Sequence, residues 1–93
     1  MMSRIPIGLE KLKGKELDSE ILRVGMIAEL DAVSLYEQMA AATDDIVVKK
    51  LLLDIAREEK THFGEFQAVL LMKDKEQIKE LEEGKKEVKE RMD

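Results

Sequence analysis

Two glutamates stand where a helical core should be apolar. Residues 19–42 and 45–72 each carry a hydrophobic pattern of helical period. With 100° per residue and Glu29 set at zero, Leu22, Met26, Ala32, Val33, Tyr36 and Ala40 fall within about 60° of it. Asp31, Ser34 and Gln38 point the opposite way. On the second pattern, Val48, Leu52, Ile55, Ala56, Phe63, Phe66 and Leu70 fall within about 60° of Glu59, with His62 on that edge. Lys50, Asp54, Arg57 and Thr61 face away. A carboxylate buried without a partner costs several kcal/mol, and a domain of this size has only about 5–14 kcal/mol of net stability. Both acids must therefore be paired, protonated or bound to metal.

A salt bridge lacks its cation. The nearest bases, Lys49 and Lys60, lie at the margins of the second stripe, about 80–100° from Glu59. Metal fits better. In ferritin-like carboxylate proteins a metal pair sits in a four-helix bundle, with one Glu from each of two helices and a Glu-x-x-His from each of the other two. This chain supplies Glu29 and the run Glu59-Lys60-Thr61-His62, which is half of that set. Two copies around a twofold axis supply the whole. Four carboxylates then balance two ferrous ions, and oxygen donors with imidazole suit iron or manganese. Glu-x-x-His alone is common on helix surfaces, so the specificity comes from Glu29 upstream and from all three residues lying on apolar stripes. A zinc-protease His-Glu-x-x-His is excluded because Glu58 occupies the first histidine position. A single His also argues against a serine-protease-like triad.

The expected fold is all-α: an antiparallel two-helix hairpin plus a short third helix, with a ferritin-like four-helix bundle completed by homodimerisation. Few aromatics and one Pro favour helices over strands. Residues 1–93 read as a single half-ferritin domain. Residues 1–17, with Pro6, Gly8 and Gly14, read as a flexible arm. Residues 18–72 form the metal-binding hairpin, its first helix capped at Asp18 or Ser19 and running to Ala42, its second running from Asp45 to Met72. Thr43-Asp44 is the polar turn between them. Residues 74–92 form the C-terminal helix, where Asp74 and Gln77 make a capping-box-like start. Its narrow stripe of Ile78, Leu81, Val88 and Met92 suits a solvated helix against one edge of the bundle. Gly25 and Gly64 lie inside helices at about 1 kcal/mol each, which close helix approach would explain. Glu37, Glu58 and Glu65 lie on the flanks and read as surface or subunit-contact charges, and the six Met residues as core filler and chain ends.

Composition removes other classes. With no Cys, disulfides, Fe–S clusters and zinc-thiolate sites are excluded. A net charge of −5 opposes nucleic-acid binding and suits attraction of cations. No apolar run approaches the roughly 20 residues of a membrane span, and the N-terminus lacks a signal-peptide stretch.

The run from Ala28 to Gln38 (AELDAVSLYEQ), followed by Ala56 to His62 (AREEKTH), resembles the encapsulated ferritins, short ferritin-like proteins that work inside encapsulin shells. The likeness covers roughly residues 20–72. It implies that Glu29, Glu59 and His62 are di-iron ligands of a ferroxidase centre shared between two subunits, with two iron ions per dimer. It places Tyr36 near the metal and associates Asp31 with the path by which metal comes in. It implies dimers assembling into a decameric ring, an encapsulin shell protein as partner, and a cytoplasmic location within that nanocompartment. The activity implied is oxidation of Fe(II) to Fe(III) with O2, feeding iron storage in the shell. The chain departs from the family at Leu35, where a Trp is common, and at Ala28, where a second acid is common. Its end, from Lys85 to Asp93, does not look like a shell-docking peptide. Some archaeal members instead precede a shell protein in one chain. The alternatives are a rubrerythrin-like peroxide-reducing di-iron protein, though rubrerythrins add a Cys-ligated iron that this chain cannot hold, and a non-enzymatic oligomeric helical module whose buried acids fix register.

Overall fold

A three-residue polar joint, Thr43-Asp44-Asp45, turns the chain back on itself. In the computed structural model, which describes residues 8–93, it connects α1 (Gly14–Ala42) to α2 (Ile46–Lys73). Asp45 closes the joint: its Oδ1 accepts from the amides of Val47 and Val48 at 2.9 and 3.0 Å, which caps α2. The Thr43 hydroxyl accepts from the Asp45 amide. Residues 29 and 37 of α1 meet residues 62 and 60 of α2, so the helices run antiparallel.

Asp74 makes the second joint. Its amide still donates to the Leu70 carbonyl at the end of α2, while its Oδ1 accepts from the Gln77 amide and starts α3 (Lys75–Met92). Its other oxygen lies 3.7 Å from Arg23, which also pairs with Glu20. The carboxylate so ties α3's first turn back to α1. The expected cap at Asp74 is borne out, and no residue of α3 is buried.

α2 and α3 differ from the expected bounds by one residue, with Asp45 and Asp74 outside them as caps; the start of α1 differs by more. α1 begins at Gly14, not at Asp18 or Ser19, and a 3-10 turn at Leu9–Lys11 precedes it. The part of the expected arm over 14–17 is therefore helix; residues 1–7 lie outside the described residues. Ser19 is buried inside α1 instead of capping it. It lines a cleft with Leu12, Arg23, Lys73 and Asp74, beside the α2–α3 joint, and its burial there, not capping, marks its place in the fold.

The chain leaves much apolar surface uncovered. Among the described residues the buried hydrophobics are Val33, Ala40, Ala56 and Leu70. Leu30, Leu51 and Val47 remain 52%, 58% and 72% exposed. The total accessible surface is 7263 Å², whereas a compact monomer of this mass exposes about 5,500 Å². Gly25 meets the expectation of close helix approach, since its position abuts Phe66; Gly64 faces open space and does not. No helix of the described residues is long and apolar enough to cross a membrane.

Candidate metal centre

Glu29 sits midway along α1, and Glu59 and His62 stand one turn apart on α2. Antiparallel packing brings the three together. One donor atom from each falls within a group no more than 4.8 Å across. His62 Nδ1 lies 3.7 Å from Glu29 Oε2 and 3.5 Å from Glu59 Oε2. Both separations are too long for hydrogen bonds. They leave the three donor atoms close enough for one ion to reach all of them.

Burial explains what the group needs. The Glu29 and Glu59 side chains are only 16% and 19% exposed, whereas His62 is 46% exposed. Glu29 Oε2 is fully buried and accepts no hydrogen bond. An ionised oxygen left so is costly. The lysine next to Glu59 does not relieve it, because Lys60 Nζ pairs instead with Glu37 Oε2 at 3.3 Å. Two mostly buried acids, an imidazole and an orphaned oxygen fit a divalent cation with oxygen and nitrogen ligands.

The three expected ligands are thus brought together, and the other two expected site residues are not. Tyr36 lies on the Glu29 face of α1 but two turns on, about 10 Å along the axis. Asp31 lies about 200° around α1 from Glu29, so one chain cannot aim both into one centre. Beside the cluster is an open cavity of about 440 Å³, lined by Leu22, Glu29, His62, Glu65, Phe66 and Val69. Glu65 is exposed, as expected of a flank charge, and its position one turn after His62 also puts it on the rim of this cavity. Phe66 was legible only as a core residue, yet it forms a wall of this cavity.

Comparisons with known proteins bear on the family and the fold. The rubrerythrin family matches residues 20–93. A ferritin-like-encapsulin shell fusion protein from Pyrococcus furiosus is 57% identical over 84 residues, covering 90% of this chain. This chain spans about a quarter (24%) of that relative's length. The crystal structure of an encapsulated ferritin domain from Pyrococcus furiosus superposes with a TM-score of 0.83 at 54% identity, over 97% of this chain and 94% of that one.

Proposed function

This chain belongs to the rubrerythrin family and to the encapsulated ferritins, and from that premise we propose that it is one half of a ferroxidase centre. The observation that carries the reading is the buried Glu29 Oε2, which has no hydrogen bond and faces Glu59 and His62. A second copy presenting the same three residues would supply four carboxylates and two imidazoles, the full set for a metal pair. The uncovered apolar surface supports such pairing. The total accessible surface, 7263 Å², exceeds that of a compact monomer by about 1,800 Å², more than the roughly 800 Å² each partner buries in a standard interface.

Ferrous iron is the substrate in this reading. Each ion gives up one electron, so that a pair reduces O2 to H2O2 with two protons. The chain's residues do the rest. Glu29 and Glu59 draw the ions in and hold them with anionic oxygens. His62 offers Nδ1 from the more open side, where the cavity gives access. The apolar side chains around the acids limit water at the cluster. Asp31, on the other face of α1, serves the approach of metal, and Tyr36, two turns beyond Glu29, is not a ligand. A cavity of about 440 Å³ holds ions and water but no mineral, so ferric product would be stored in an outer container. The relative's fusion to an encapsulin shell supports such a shell as that container; a ring of dimers inside it, in the cytoplasm, completes the proposal.

The test mixes anaerobic Fe²⁺ with the protein, admits air and follows the ferric absorbance. Oxidation well above the buffer rate, lost in Glu59→Ala and His62→Ala, is the expected result. A rate equal to buffer, unchanged by either substitution, rejects the proposal. A faster reaction with H2O2 than with O2 would favour the peroxide-reducing alternative.

A further inference from the structure

We propose that Gly25 is a positioning residue for the metal centre, because it lets the Phe66 ring lie against the backbone of α1 and keeps that ring out of the space beside Glu29 and His62. The inference rests on the ferroxidase reading above. A Cβ at position 25 would stand 2.8 Å from Phe66 Cε1 and 2.9 Å from Cδ1 and Cζ. Real side chains do not tolerate such contacts, so one partner would have to move. The α1 backbone is held by its own hydrogen-bond ladder. The ring, at the end of a side chain, is what gives way. Phe66 lines the open cavity with Glu29, His62 and Glu65, and that cavity is the free space into which a ring pushed off α1 can swing.

The register makes the contact a neighbour of the chemistry. Gly25 is one turn before Glu29 on α1, and Phe66 is one turn after His62 on α2. The pair is the next rung of the hairpin beyond the ligand cluster. A displaced ring would crowd the orphaned Glu29 oxygen and the half-exposed imidazole, which share the cavity with it. A glycine serving helix packing alone would change stability without changing the metal's surroundings.

The test is a titration with Co²⁺, whose visible bands report the ligands around it, followed together with the apo protein's helicity. The unaltered chain should bind about one Co²⁺ per copy, with bands that Glu59→Gln abolishes. Gly25→Ala should weaken binding roughly tenfold or more and shift the bands at saturation. The double variant Gly25→Ala/Phe66→Leu, which removes the ring edge, should regain most of the affinity. Gly25→Ala titrating like the unaltered chain overturns the proposal, as does a double variant no better than the single. If Gly25→Ala does not fold, the double variant decides: it must fold and bind Co²⁺, and failure overturns the proposal. Bands that survive Glu59→Gln would instead overturn the metal-centre reading, and the role of Gly25 with it.

Discussion

Lys60 Nζ lies 3.3 Å from Glu37 Oε2, joining α2 to α1 on the side away from His62. The basic residue adjacent in sequence to the candidate ligand Glu59 is thereby committed elsewhere, and the charge of Glu29 and Glu59 is left for a cation to balance. Both partners are largely exposed, at 62% and 48%, and such pairs contribute about 0–1 kcal/mol. Lys60→Ala should therefore shift stability by less than about 1 kcal/mol and leave metal stoichiometry unchanged. Denaturant unfolding and elemental analysis of the same sample check this.

Metal should stabilise the fold. At free metal 100-fold above its dissociation constant, each site should add about 2.7 kcal/mol, seen as a higher thermal midpoint that a chelator reverses. The non-enzymatic alternative expects no change on metal removal.

Glu29→Leu should act with opposite signs in the two states. Without metal it removes an orphaned buried oxygen and should stabilise by about 1–3 kcal/mol. With metal present it should lose the metal-dependent rise. Thermal scans with and without Mn²⁺ measure both halves, and a variant that keeps the rise contradicts the assignment of Glu29 as a ligand.

Asp31 and Asp74 should separate delivery of metal from architecture. Asp31→Ala should slow iron oxidation at low Fe²⁺ while leaving stoichiometry near the unaltered value, since Asp31 lies outside the cluster. Asp74→Ala removes the α3 cap and the Arg23 contact, and should cost about 1 kcal/mol. Hydrogen exchange should localise that loss to the first turn of α3, with the metal count preserved.

Mass in solution tests the half-site directly. The chain with Fe²⁺ should run as an even-numbered assembly with about one metal per copy. A monomer holding two irons contradicts the count of ligands.

The sequence by itself determined the candidate ligand set and the helices that carry it. Glu29, Glu59 and His62 were legible because a charge on an apolar stripe violates helical periodicity, and periodicity depends only on spacing along the chain. The cap at Asp74 was legible from local spacing, because Gln77 follows three residues on, whereas the cap of α2 falls on Asp45, which the sequence placed inside the helix. Only the tertiary structure decided what lies across the hairpin. It showed that Lys60 turns to Glu37, that Gly25 and not Gly64 is the place where a helix backbone meets a side chain, that Glu65 and Phe66 border the cluster, and that α1 starts at Gly14. Each of these depends on which residues of α1 and α2 face one another. That register is set by how two long helices pack, a property no single stretch of sequence contains.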